Sequence, residues 1–100
     1  MGHTERASAA AVEVVFSAAA VADLVWIRSY IGHFNPSAAR RMAERLKAAA
    51  YSLAEFPDRG RPRSNGAREL AVIPPYVMVY DVTPSRVTIL RIWHGAQDRL

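Results

Sequence analysis

The stretch Val87-Thr-Ile-Leu-Arg-Ile-Trp-His-Gly-Ala-Gln-Asp98, near the carboxyl end of the chain, decides the fold. Apolar and polar residues alternate along it until a His-Gly pair interrupts the pattern. The alternation predicts a strand over residues 87–93. One face would carry Leu90 and Ile92, and the other Ile89, Arg91 and Trp93. Arg91 and His94 are therefore expected close together at the end of the last strand.

Two further strands are predicted immediately before this one. Arg68–Ile73 and Tyr76–Val82 are rich in strand-forming residues, and Pro74-Pro75 separates them with a turn. Thr83–Arg86 contains a proline that favours a hairpin turn. Three consecutive strands joined by short turns predict an antiparallel meander.

The amino-terminal half predicts one strand followed by a helix. Val12–Phe16 is a short apolar run typical of a buried strand, and Ser17 can cap the next helix. That helix is predicted from Ala18 to about Ile31, with Gly32–Asn35 breaking it. Its apolar residues recur every three to four positions. They are Ala20, Leu24, Ile27, Ile31 and Phe34.

A second helix begins at Asn35-Pro36, where Asn can cap the helix and Pro suits its first position. A strict helical rhythm of apolar residues continues from there, and Pro57 is expected to end the helix. The apolar face comprises Ala39, Met42, Leu46, Ala49, Leu53 and Phe56. A four-residue connection between the helices predicts an antiparallel hairpin.

The predicted element order is β-α-α-β-β-β, which defines an α+β fold. The helix hairpin packs on one face of a small, mainly antiparallel sheet, and the first strand joins an edge of it. Residues 1–11 are expected to be a flexible extension, and residues 12–100 a single domain.

Composition excludes several classes of protein. The chain has no cysteine, so it has neither disulfides nor thiolate chemistry, and no apolar run approaches the length of a membrane helix. His3, His33 and His94 are scattered without the spacing of metal ligands. We expect no metal site, no cofactor and a cytoplasmic location.

The chain carries a net charge of +4, and arginine supplies nearly all of its positive charge. Pro57–Ala67, with two prolines and two glycines, is predicted to be a loop, called the arginine-rich loop below. Its Arg59, Arg61 and Arg63, with Arg68 just after it, fall within one short stretch that contains only two acids. Such a cluster favours a polyanion or an acidic partner, although many arginine-rich loops are simply solvated. Nothing in the stretch could read nucleic-acid bases.

Short motifs spread over residues 12–98 resemble the ParE/RelE superfamily of bacterial toxins. The matching pieces are Ala20–Leu24, Tyr30-Ile31, Asn35-Pro36 with Ala39, Phe56-Pro57, Gly60–Pro62, Arg68–Leu70, Tyr76–Tyr80 and Ile89–Gly95. The resemblance implies a small toxin that arrests growth or stabilises a plasmid. A co-encoded antitoxin would neutralise it within a hetero-oligomer.

The two branches of this superfamily imply different targets. ParE-like members poison DNA gyrase without a hydrolytic site of their own, whereas RelE-like members cut messenger RNA on the ribosome. The ending His94-Gly95 followed by Asp98 resembles the ParE branch, which we therefore favour. A third possibility is a member that has lost toxicity and persists as a binding module.

The RelE alternative would use Arg68 and Arg91 to clamp a phosphate and His94 as acid or base. RelE-type sites also use strand lysines and a late tyrosine. Here the only lysine is Lys47, and no tyrosine follows Tyr80. Competing structural interpretations are a solvated face for Arg91, an ion pair with Asp58, Glu69 or Asp81 for Arg68, and a local hydrogen bond for His94.

The resemblance also indicates which surfaces would contact partners. Antitoxins of this superfamily wrap the helix hairpin and the sheet, and we assign Val25, Trp26, Ser29 and Tyr30 to that contact. Core packing is the competing interpretation of Tyr30, whereas Trp26 lies nearly opposite Leu24 and is harder to bury. Contacts to the target or to a polyanion are assigned to Arg59, Arg61, Arg63 and Trp93.

Overall fold

A single five-stranded sheet forms the scaffold of the protein in a computed structural model that describes residues 12–95. Its strands are β1 (Glu13–Phe16), β2 (Arg61–Pro62), β3 (Arg68–Ile73), β4 (Tyr76–Thr83) and β5 (Arg86–His94). Their order is β1-β5-β4-β3-β2, and only β1 runs parallel to its neighbour. The predicted meander and the edge position of the first strand are confirmed. The short β2 lies in a segment predicted to be a loop.

Two helices, α1 (Ala18–Phe34) and α2 (Pro36–Ser52), pack on this sheet. Ser17 Oγ caps α1 by accepting a hydrogen bond from the Ala20 amide, and Asn35 Oδ1 caps α2 in the same way from Ala38. The four-residue break predicted between the helices is wrong, because α1 continues through Gly32 and only Asn35 separates the two. The second helix also ends earlier than predicted, at Ser52 instead of at Pro57.

The core lies between the helices and one face of the sheet. Its fully buried large side chains are Tyr80, Leu46, Leu53, Met78, Ile89 and Val87. Two predicted core residues, Phe34 and Phe56, are exposed instead. Phe34 stacks edge-on against Tyr30 on the outer side of α1. Phe56 lies beyond the end of α2, where the helical spacing no longer applies.

A β-bulge in β5 changes which residues share a face. Val79 pairs with Arg91 and the next residue, Tyr80, pairs with Ile89, so Leu90 is the extra residue. Ile89 and Ile92 both reach the core as a result. The predicted placement of Ile89 with Arg91 and Trp93 is therefore wrong.

Within residues 12–95, neither helix is long and apolar enough to cross a membrane. The predicted extension, residues 1–11, and the motif residue Asp98 lie outside the described residues.

Candidate functional site

An open groove of about 740 Å³ runs between α1 and the end of β5. From α1 it is lined by Asp23, Trp26, Ile27 and Tyr30; from the sheet, by Pro75, Tyr76 and residues 91–94. It forms here because β1 pairs with β5 only as far as Ile89, which leaves the last residues of β5 facing the helix. The groove brings together Arg91, Trp93 and His94 from one end of the sequence with Trp26 and Tyr30 from the other.

Aromatic side chains form the outer wall of the groove. The rings of Trp26 and Tyr30 stack almost parallel with their centres 5.2 Å apart, as their spacing of four residues on a helix allows. Trp26 is 58% exposed and Tyr30 is 53% exposed, so core packing of Tyr30 is excluded. These two side chains leave a large apolar surface uncovered, and such a surface is characteristic of a binding site.

On the sheet side, Tyr76 and His94 face each other edge to face with ring centres 5.9 Å apart. Burial, and to a lesser extent the nearby Tyr30, raises the pKa of Tyr76. Tyr76 therefore stays neutral at physiological pH. Close packing explains why a glycine follows His94. The Gly95 amide donates to the Pro75 carbonyl at 2.6 Å. A Cβ at Gly95 would lie 3.0 Å from that oxygen.

The guanidinium of Arg91 is bound by a carboxylate, although the Arg91 side chain remains 41% exposed. Arg91 Nε and Nη2 donate to the two oxygens of Asp23 at 2.7 and 2.9 Å, and the guanidinium lies 4.9 Å from the centre of the Trp93 ring. The hydrogen bonds to Asp23 raise the pKa of Arg91. A phosphate that used the same guanidinium edge would have to displace Asp23.

Arg68 does not join Arg91 and His94. Its strand partner is Tyr80, whereas His94 pairs with Tyr76, four residues away on β4, and Arg91 pairs with Val79, one residue away. Arg68 is therefore displaced from His94 by about 13 Å along the strands, and it lies two strand spacings, about 10 Å, from the strand that carries both residues. Arg68 instead binds the Gly60 carbonyl and approaches Asp58 at 3.4 Å.

Hydrogen bonds and ion pairs hold the arginine-rich loop against β3 and the end of α2. Arg61 and Arg63 each contact a different oxygen of Glu69 at 3.1 Å, and Arg59 donates to Ser52 Oγ. The buried hydroxyl of Tyr80 donates to the Pro57 carbonyl and accepts from the Gly60 amide. Burial raises the pKa of this tyrosine, while the Gly60 amide acts in the opposite direction. The loop is therefore ordered by internal bonds.

The residues assigned to the antitoxin contact divide between two surfaces. Trp26 and Tyr30 line the groove at β5. Val25 and Ser29 line a shallower groove of about 350 Å³ on the other side of α1, beside Arg28 and Arg40 of the two helices.

Sequence reasoning missed Asp23, Pro75 and Tyr76 as site residues. The sequence does contain a clue to Asp23, because it is the only charged residue between Ala18 and Ile27. A lone carboxylate on an apolar helix usually has a partner. Among residues 12–95 no group of three metal-ligating side chains occurs.

Two solved structures share the fold of this chain. A chain of the chromosomal ParDE system from P. aeruginosa superposes with a TM-score of 0.75 at 22% identity, covering 85% of this chain and 97% of that one. A chain of the RelBE2 toxin–antitoxin complex from Mycobacterium tuberculosis superposes with a TM-score of 0.61 at 24% identity, covering 84% and 98%. The predicted fold class is thus confirmed.

Sequence comparison then identifies the family. Residues 14–99 match the model of the ParE toxin of the type II toxin–antitoxin system parDE. Toxin RelE2 of Caulobacter vibrioides is 55% identical over 85 residues, which is 85% of this chain and 97% of that protein. Toxin RelE1 of the same organism is 40% identical over 68 residues, or 65% and 73% of the two chains. The chain belongs to the ParE toxin family and is a type II toxin of the ParE/RelE superfamily.

Proposed function

We propose that this toxin arrests growth by binding DNA gyrase, in the ParE manner, and that a cognate antitoxin neutralises it by occupying the groove at β5. The proposal rests on the contacts and positions of Arg68, Arg91 and His94, the three residues that a nuclease would need. Arg91 is paired with Asp23, and Arg68 lies two strands away, beside Asp58. Cleavage of RNA needs cations at the phosphate as well as acid–base groups, and each of these two arginines would first have to leave its carboxylate.

The groove is better suited to binding a protein segment. Exposed aromatic side chains are the usual anchors of protein interfaces, and Trp26 and Tyr30 are already stacked in one orientation. A preorganised wall lowers the entropy lost when a partner binds. The two similar folds come from toxin–antitoxin systems, which supports an antitoxin as the partner and a hetero-oligomer as the assembly.

The arginine-rich loop and Trp93 are the candidate contacts to the target, and an antitoxin in the groove at β5 would cover Trp93. Its four arginines, Arg59, Arg61, Arg63 and Arg68, face two acids, Asp58 and Glu69, which leaves a local charge of +2. The side chain of Arg61 is 81% exposed even though it contacts Glu69. A residual positive charge at one end of the sheet favours an acidic protein surface or the DNA that gyrase holds.

A RelE-like nuclease is the second candidate, because Arg91 and His94 do line one groove and both relatives compared above are named RelE toxins. This function would require Arg91 to exchange Asp23 for a phosphate.

Induced expression without antitoxin distinguishes the candidates. The proposal predicts growth arrest with relaxed plasmid DNA and intact messenger RNA. Cuts in translated messenger RNA with normal plasmid supercoiling would support the nuclease. Unimpaired growth, with the protein present and folded, would leave the non-toxic binding module.

A further inference from the structure

One carboxylate, that of Asp23, joins α1 to the end of β5. Its Oδ2 accepts hydrogen bonds from Arg91 Nε and from the Ile92 amide, at 2.7 and 2.9 Å, and its Oδ1 accepts from Arg91 Nη2. A bidentate contact between carboxylate and guanidinium is stronger and more directional than a single ionic contact. The Asp23 side chain is only 15% exposed, so solvent screens the pair incompletely.

The position of Asp23 follows from where β1 stops. Beyond the last β1 pair, Ser17 donates through its amide to the Ile89 carbonyl and through Oγ to the Leu90 carbonyl. Asp23 then accepts from the Ile92 amide on the same edge of β5. The start of α1 therefore replaces a strand along the bulged part of β5, where the regular ladder is interrupted.

Asp23 also determines the orientation of two side chains in the groove. The Arg91 guanidinium that it holds lies over the Trp93 ring, in the geometry of a cation–π contact. An arginine has many rotamers, and the carboxylate selects one of them before any partner arrives. Removing that carboxylate would release Arg91 and uncover Trp93.

From these contacts we propose that Asp23 is a positioning residue. Its carboxylate holds Arg91, and through it Trp93, in the arrangement that the antitoxin recognises. The identity of the partner rests on the proposed function. Whether Asp23 holds Arg91 and Trp93 in place can be tested without any partner.

Tryptophan fluorescence provides the first test. Both tryptophans of the chain, Trp26 and Trp93, line the groove, so a Trp26→Phe background leaves Trp93 as the only reporter. In that background Asp23→Asn should raise acrylamide quenching of Trp93 about twofold, because the released guanidinium no longer covers the ring. Arg91→Lys should have the same effect, since an ammonium group cannot make the bidentate contact. That second variant leaves Asp23 bound to the Ile92 amide, which protects the fold.

Ser17→Ala is the matched control. It removes a helix cap and a hydrogen bond to the same edge of β5, and the hydrogen bonds of the Ser17 hydroxyl go to Ala20 and Leu90 instead of to Arg91 or Trp93. The control should lower the melting temperature and leave Trp93 quenching unchanged. With purified antitoxin from the neighbouring gene, we expect Asp23→Asn to weaken binding at least ~10-fold and Ser17→Ala less than ~2-fold.

Unchanged quenching in both Asp23→Asn and Arg91→Lys would overturn the proposal. So would equal losses of affinity in Asp23→Asn and Ser17→Ala, because general destabilisation would then explain both. Altered quenching with wild-type affinity would also overturn it, since the antitoxin would not recognise this arrangement. A wild-type chain that binds no antitoxin would refute the proposed function and the recognition step. In that case quenching still decides separately whether Asp23 holds Arg91 and Trp93 in place.

Discussion

Replacing Trp26 by alanine should weaken antitoxin binding. Trp26 is 58% exposed. Because a buried tryptophan contributes roughly 250 Å², about 145 Å² remains for a partner to cover. At about 25 cal/mol per Å², complete coverage is worth ~3.6 kcal/mol. We expect a loss of ~2 kcal/mol or more, as for other aromatic hot spots, which is a rise in Kd of about 30-fold.

Titration calorimetry with the purified antitoxin measures this change directly. The fold should lose the stacking of Trp26 on Tyr30 and the contacts of the covered part of the Trp26 side chain, so urea unfolding has to show that the variant is still folded. Phe56→Ala is the matched control, because Phe56 is 59% exposed and does not line the groove. Wild-type affinity in Trp26→Ala, or an equal loss in Phe56→Ala, would refute the assignment of the groove.

Three further variants test the loop and the groove. Gly60→Ala would place a Cβ 2.6 Å from the Glu69 carbonyl oxygen and 2.7 Å from the Tyr80 hydroxyl; it should cost ~2 kcal/mol or more in urea unfolding, and wild-type stability would contradict the packing of the loop. Burial raises the pKa of Tyr80 above 10.0, so the unfolded chain ionises first. The stability linked to Tyr80 is then fully present below about pH 10 and falls as pH rises further. Tyr80→Phe should reduce the loss of stability at alkaline pH. An unchanged dependence of the free energy of unfolding on pH would contradict this role of Tyr80. His94→Ala should leave growth arrest intact. If His94 were instead the acid or base of a nuclease, the same variant would lower RNA cleavage ~10²-fold.

Local patterns were sufficient to predict the order of all elements except the two-residue strand β2. Alternation in Tyr76–Val82, the prolines around it and the Asn35-Pro36 helix start all act over a few residues, so they can be read without knowing the fold. The phenylalanines at positions 34 and 56 show the limit of helical spacing. Phe34 fits the row of Ile27 and Ile31 and equally the row of Trp26 and Tyr30, and only packing against the sheet decides between them.

The site could be predicted only in part. Arg91 and His94 are neighbours in sequence, so their proximity was expected. The bulge at Leu90 depends on the pairing of β4 with β5, and the contact of Asp23 with Arg91 joins residues 68 positions apart. The position of Arg68 likewise depends on which residue it faces across the sheet. Long-range pairings of this kind leave no periodic pattern in the sequence.

A supercoiling assay with purified DNA gyrase tests the central claim most directly. Wild-type toxin and its His94→Ala variant should inhibit supercoiling equally, because binding is proposed to need no acid or base. An excess of antitoxin should restore the activity by occupying the groove. Full gyrase activity at toxin concentrations that cleave ribosome-bound messenger RNA, with cleavage lost in His94→Ala, would contradict the proposed function.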